Sequence, residues 1–332
     1  MSEFAVPVID IAGYTSADRA VRDAVIAEVG RAARDIGFLI IAGTGVPVTT
    51  IDDAVRESRR FFALELADKL AVERPQPGHI RGYCGIGKEA LAQLERDRVP
   101  PDLKELFDVG PFDLPPGDPY YQPDRAGDSF APNVWPAATP ALRPALENYF
   151  RTMQRLSATL ARIFANALDL EADYFEDKLS RHISILRANY YPAQRQAPQA
   201  RQLRAGGHTD YTAFTILWQE QVAGGGLQIR NRHGEWDDVP ALPGTFVVNI
   251  GDSLARWTND TWVSTMHRVV NPPAEIATAC DRLSLVYFCQ PNYDAVIECV
   301  PTCQGPGRPA RYPPIANGVF LATKFAEQQT AA

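Results

Sequence analysis

Apolar residues recur at helical spacing in three stretches of the chain. Val21, Val25, Val29, Ala32 and Ile36 form one row, ended by Gly37 just before the continuous apolar run 38–41, which predicts a helix followed by a buried strand. Ile51, Val55, Ser58 and Phe62 predict a second helix. A long third one carries Leu142, Leu146, Tyr149, Met153, Leu156, Leu160, Ile163 and Ala167, a one-sided stripe that needs a sheet or another helix to cover it. A short extended segment over 6–11 precedes the first helix. Between the second and third, the Gly-, Pro- and Asp-rich segment 111–140 predicts a loop excursion within one unit.

From Ile183 onward the pattern changes to short apolar runs separated by turn residues. The segments 183–191, 213–219, 226–230, 245–250, 253–257, 267–271 and 283–289 predict strands, with a hairpin turn over 231–234. Strands at this density predict an α+β chain whose core is a sandwich, barrel or double-sheet jelly roll with helices packed outside it. Residues 1–180 would then be a mainly helical region that packs on the barrel without folding alone. Residues 181–326 would be the jelly-roll core, and 327–332, polar and Ala-rich, a frayed tail.

Composition narrows the function. At 332 residues with 45% hydrophobic and 22% charged side chains the chain is an ordinary globular one, which excludes collagen-like, coiled-coil and wholly disordered forms. Lysine and arginine number 33 against 40 acidic residues, a net charge of −7, and no basic run is long enough to track a phosphate backbone. Nucleic acid is therefore not an expected partner. No apolar stretch reaches the ~18 to 20 residues of a membrane span, and no secretory signal pattern opens the chain, so a cytoplasmic location is expected. The five cysteines have neither CxxC spacing nor an even count, which points to reduced thiols.

Among the five histidines, His79, His182 and His233 have neighbourhoods of ordinary surface or core residues. His208 stands in GGHTDYTAFTIL, where an extended backbone would present His208 and Asp210 side by side, as i and i+2. His267 opens HRVVNPP, on another predicted strand. Two imidazoles and one carboxylate on one side of a divalent ion leave adjacent positions open, which suits non-haem Fe(II) and oxygen activation; a closed zinc site would want a fourth protein ligand. The ion plus Asp210 carries net positive charge and favours an anionic chelating co-substrate. Arg282 and Ser284, again i and i+2, could grip the far carboxylate of such a ligand. On 183–191, one face holds Ile183, Ile185, Arg187, Asn189 and Tyr191. If that face looks into the barrel, Tyr191 could bond the same anion and Arg187 could clamp a carboxylate on the primary substrate.

These segments, in order with GGLQI, PGTFVVNIGDSLARWTND, RLSLVYFCQPNYDA and the earlier NYYP, resemble the Fe(II)- and 2-oxoglutarate-dependent oxygenases of the isopenicillin N synthase-like group. PVIDIAGY, DIGFLIIAGTGVP and RGY resemble the same group's N-terminal region, so the likeness spans nearly the whole chain. The resemblance implies a distorted double-stranded β-helix, a jelly roll, flanked by helices. It also implies that His208, Asp210 and His267 bind iron, that Arg282 and Ser284 hold the distal carboxylate of 2-oxoglutarate, and that Tyr191 and Asn189 contribute at the same anion.

The implied activity is O2-dependent oxidation of a small molecule by hydroxylation, desaturation or ring closure, in specialised or amino-acid-derived metabolism. The alternatives are an isopenicillin N synthase-like oxidase that does not use 2-oxoglutarate, an ethylene-forming type that consumes it, and a non-catalytic metal-binding scaffold. Expected cavity walls are Phe107, Tyr211, Leu217, Trp257 and Phe288, with Phe320 and Phe325 capping the mouth. A monomer or weak homo-oligomer is expected.

Overall fold

A computed structural model of the chain describes residues 6–75, 79–91, 99–224 and 226–330. The strands are β1 (Val8–Asp10), β2 (Phe38–Ala42), β3 (Gly82–Cys84), β4 (Glu105–Val109), β5 (Ile185–Tyr191), β6 (Ala205–His208), β7 (Phe214–Gln219), β8 (Leu227–Arg230), β9 (Trp236–Asp238), β10 (Phe246–Ile250), β11 (His267–Val269) and β12 (Arg282–Cys289), besides one two-residue pair near the C-terminus. The helices are α1 (Arg19–Asp35), α2 (Val48–Phe62), α3 (Leu66–Leu70), α4 (Pro123–Ala126), α5 (Leu142–Ala167), α6 (Glu176–Leu179), α7 (Asp252–Trp257) and α8 (Asn317–Thr330).

Local chemistry sets these boundaries. The Asp18 side chain accepts from the Ala20 amide at 2.8 Å and caps the start of α1. Gly37 ends that helix at φ +72°, where a Cβ would meet the Val263 carbonyl oxygen at 2.2 Å.

Two sheets result. The larger has the order β1-β2-β10-β7-β12-β5-β4-β3 and the smaller β6-β11-β8-β9. Side chains alternate across each strand, so the larger sheet presents two different faces. Leu186, Ala188, Leu283, Leu285 and Tyr287 turn toward α5 and join Leu146, Met153 and Leu160 in the main core. Each buried leucine or methionine among them contributes roughly 1.5 to 3 kcal/mol. The opposite rows, Ile185, Arg187, Asn189 and Tyr191 on β5 with Arg282, Ser284, Val286 and Phe288 on β12, line a cavity of about 530 Å³. This is the double-stranded β-helix with helices outside.

Three elements differ from the sequence pattern. The expected strand 253–257 is α7, because a short apolar run does not distinguish helix from strand by periodicity, and here Ser253, Leu254, Ala255 and Trp257 are buried in a short helix. The tail expected to fray is helical through Thr330; residues 331 and 332 lie outside those described. Strand β4, Glu-Leu-Phe-Asp-Val, is wholly buried despite its two carboxylates.

Each of those carboxylates is paired, as a buried charge must be. Glu105 accepts from Lys69 Nζ at 2.9 Å and from the Tyr83 hydroxyl at 2.6 Å. Asp108 binds Arg187 and Arg74.

Candidate active site

His208 ends β6 and His267 begins β11, and the two are directly paired across the small sheet, with ring centroids 4.3 Å apart. Antiparallel pairing therefore joins imidazoles that are far apart in the sequence. Asp210, just beyond β6, places Oδ1 3.8 Å from Nε2 of each. One ligand atom from each of the three lies within 4.8 Å of the others, and no other group of three such residues occurs among the described residues.

Hydrogen bonds fix which atoms face the common point. His208 Nδ1 lies 2.8 Å from the Gly206 carbonyl and His267 Nδ1 3.1 Å from that of Thr265. A carbonyl only accepts, so each Nδ1 carries the proton and each Nε2 lone pair is free for a metal. Asp210 Oδ2 accepts from Thr215 Oγ1 at 2.5 Å and from Asn249 Nδ2 at 2.8 Å, which leaves Oδ1 toward the imidazoles. Burial pulls His208 well below the usual histidine range, and the neighbouring His267 adds to this, so it stays neutral. Burial alone would raise the Asp210 carboxyl; the two imidazoles and the bonds from Thr215 and Asn249 outweigh it and hold that carboxyl low. The set is two imidazole nitrogens and one carboxylate oxygen.

Farther along β12 lies a second polar group. Arg282 is 1% exposed, donates from Nη2 to Gln219 Oε1 at 2.8 Å, and leaves Nη1 without a partner. No carboxylate pairs with it among the described residues. Its guanidinium stands 5.1 Å from the Tyr191 ring centroid, and the register sets Arg282 opposite Tyr191 and Ser284 opposite Asn189. Asn189 Oδ1 is likewise buried and unpartnered.

Residues 182–291 match the family described as the 2OG-Fe(II) oxygenase superfamily, and residues 6–138 match the one described as non-haem dioxygenase in morphine synthesis N-terminal. A 2-oxoglutarate-Fe(II) type oxidoreductase of Emericella nidulans is 30% identical over 321 residues, covering 95% of this chain and 88% of that one. The chain belongs to the 2OG-Fe(II) oxygenase superfamily.

Validamycin A dioxygenase of Streptomyces hygroscopicus subsp. limoneus is also 30% identical, over 98% of this chain and 87% of its own. The crystal structure of a full-length Neurospora crassa protein in complex with alpha-KG aligns with a TM-score of 0.84 and 30% identity over 98% of each chain. This oxygenase is a Fe(II)- and 2-oxoglutarate-dependent dioxygenase, with O2 as second co-substrate. Its cavity fits them: a His-Asp-His donor set suits Fe(II), and a buried arginine without an acidic partner suits a dianionic co-substrate.

Not every expected wall residue of the oxygenase reaches the cavity. Tyr211, Leu217, Phe288 and Phe325 line it, Tyr211 and Phe325 meeting edge to face at 5.9 Å across the mouth. Phe107 does not: it lies on the helix face of β4, against Phe61 at 4.8 Å. Trp257 does not either. It is buried in α7 with Nε1 donating to the Val296 carbonyl, and Phe320 belongs to the same core.

Arg187 does line the cavity, but its guanidinium is engaged. Nε and Nη2 bind Asp108 at 2.8 and 3.2 Å, and Nη1 binds Glu89 at 3.2 Å. A substrate carboxylate would have to compete for it with the buried Asp108 and the half-buried Glu89.

Residues that the sequence left unmarked include Thr215 and Asn249, which hold Asp210, and Asp102. The latter accepts from the Gly206 amide at 2.9 Å, in the residue whose carbonyl receives His208.

Proposed function

We propose that His208, Asp210 and His267 hold Fe(II), and that Arg282 and Ser284, with Tyr191 and Asn189, bind the distal carboxylate of 2-oxoglutarate. On this reading the enzyme oxidises a C–H bond of a small molecule of specialised or amino-acid-derived metabolism by hydroxylation, desaturation or ring closure. The observation that carries the assignment is the convergence of two Nε2 atoms and one carboxylate oxygen whose other polar atoms are all engaged elsewhere. Bound Fe(II) and 2-oxoglutarate supply the oxidant, O2 being reduced as the co-substrate is converted to succinate and CO2. The chain's own residues orient and exclude. Thr215 and Asn249 keep Asp210 turned inward, Arg282 supplies charge at the far carboxylate, and Leu217, Tyr211 and Phe288 keep water from the reacting carbon. One chain completes this cavity, which supports a monomer or weak homo-oligomer, and the free cysteines support a reducing, cytoplasmic setting.

Anaerobic titration with Fe(II) and 2-oxoglutarate tests the assignment through the visible charge-transfer band of the chelate. The band should form in the wild type and be lost in His267→Ala. Arg282→Gln should keep it but raise the 2-oxoglutarate needed roughly 10- to 100-fold, the scale of a charge-assisted hydrogen bond. A band that survives intact in His267→Ala would remove that residue from the metal. Succinate released in step with oxidised substrate separates this reading from an oxidase that ignores 2-oxoglutarate.

A further inference from the structure

β12 ends at Cys289, and the next residue, Gln290, lines the cavity beside Ser184, at the opposite end of the row from Arg282; Ile183 and the α8 residues Leu321 and Phe325 belong to the same lining. Gln290 is only 7% exposed, yet its Oε1 is buried without a partner and its carboxamide makes no hydrogen bond among the described residues. Its backbone, by contrast, is clamped: the Gln290 amide donates to Ser184 Oγ at 3.1 Å, and that hydroxyl donates to the Gln290 carbonyl at 3.4 Å. A rigid strand end thus holds a buried carboxamide toward the chamber, at a cost that a ligand can offset.

Apart from Arg282 at the far end, the cations lining the cavity are already committed. Arg187 is bound by Asp108 and Glu89, Lys104 by Glu89 and Asp102, and Arg81 donates to the carbonyls of Ala131, Ile80 and Ser129. Ile183, Ile185, Phe288 and Leu321, which line the same cavity, are apolar.

We propose that Gln290 is a specificity residue that receives a neutral amide-type group of the substrate, its Oε1 accepting an N–H and its Nε2 donating to a carbonyl. The substrate class is then a compact, mostly apolar molecule bearing a carboxamide, lactam or ureide, rather than a carboxylate. This deepens the reading above and rests on it for the chemistry, though not for the binding.

The test is calorimetric titration of the full chain, loaded anaerobically with Fe(II) and 2-oxoglutarate, with benzamide, acetophenone, benzoate and benzylammonium. Acetophenone has the shape of benzamide but lacks the N–H. Benzylammonium is included because Asp128 also borders the cavity. Benzamide should bind about five- to tenfold more tightly than acetophenone, the usual size of one net hydrogen bond. That preference should vanish in Gln290→Met, which keeps the volume, and pass to benzylammonium in Gln290→Glu. Equal binding of benzamide and acetophenone, a preference for benzoate, or a benzamide preference retained in Gln290→Met would overturn the proposal. The charge-transfer band is followed in the same samples: its absence would count against the metal and co-substrate assignment, while the probe ranking, repeated on the metal-free chain, still decides Gln290.

Discussion

At the scale of single residues, Asp210 shows how a proposed metal ligand is aimed. Its Oδ2 is held by Thr215 and Asn249, which are direct partners in the β7–β10 register and so point from adjacent strands at one oxygen. Thr215→Val keeps the side chain's shape and removes the hydroxyl. It should weaken Fe(II) binding about 10-fold or more, as loss of a partner behind a metal ligand commonly does, while thermal stability of the metal-free chain shifts little. Competition of Fe(II) against a colorimetric chelator measures this, and unchanged affinity would make Thr215 a bystander. His208 and Asp210 were legible because i and i+2 on an extended chain must share a face. Thr215 and Asn249 were not, since their role depends on strand register, which short apolar segments leave undetermined.

At the scale of elements, legibility followed hydrophobic contrast. The stripe of α5 and the alternation of β5 could be read directly, and the cavity face expected for β5 is the one it presents. β4 was invisible because Glu105 and Asp108 look like loop residues until Lys69, Tyr83, Arg74 and Arg187 are brought beside them by distant segments. His182, three residues before β5, belongs to this scale: it stacks on Phe150 of α5, with ring centroids 6.1 Å apart, and burial pushes it down to about 4. In the unfolded chain it titrates near 6.5. The folded value is the lower one, so as pH falls the unfolded chain takes up the proton first. Above about 6.5 His182 then has no effect on the pH slope; between about 6.5 and 4 it destabilises the fold, by up to about 3 kcal/mol. His182→Phe, which preserves the ring stack, should therefore gain stability relative to wild type as pH is lowered from 7.5 to 4.5 in urea titrations. Parallel pH profiles for the two proteins would show that His182 is not the group responsible.

At the scale of the whole molecule, the question is whether the C-terminal half, with the proposed iron site, can exist without what precedes it. In the large sheet the four strands contributed after residue 180 are contiguous, β10-β7-β12-β5, and the earlier strands flank them on both sides, β2 and β1 at one edge, β4 and β3 at the other. Removing residues 1–180 would bare two sheet edges at once. It would also strip α1, α2 and α5 from the face where Leu186, Leu283, Leu285 and Tyr287 are buried, each losing roughly 1.5 to 3 kcal/mol of burial against a total stability of about 5 to 15 kcal/mol. The inner face suffers too, because Phe38 of β2 packs edge-on against His267 at 5.4 Å. We propose, accordingly, that 1–180 and 181–326 form one folding unit rather than two domains. The full chain should unfold in urea with coincident transitions by near- and far-ultraviolet circular dichroism, whereas a fragment of residues 181–332 should show no near-ultraviolet signal and no sharp transition. A fragment that unfolds cooperatively and binds Fe(II) with the affinity of the full chain would establish the opposite, that the helical region is a covering added to a self-sufficient barrel.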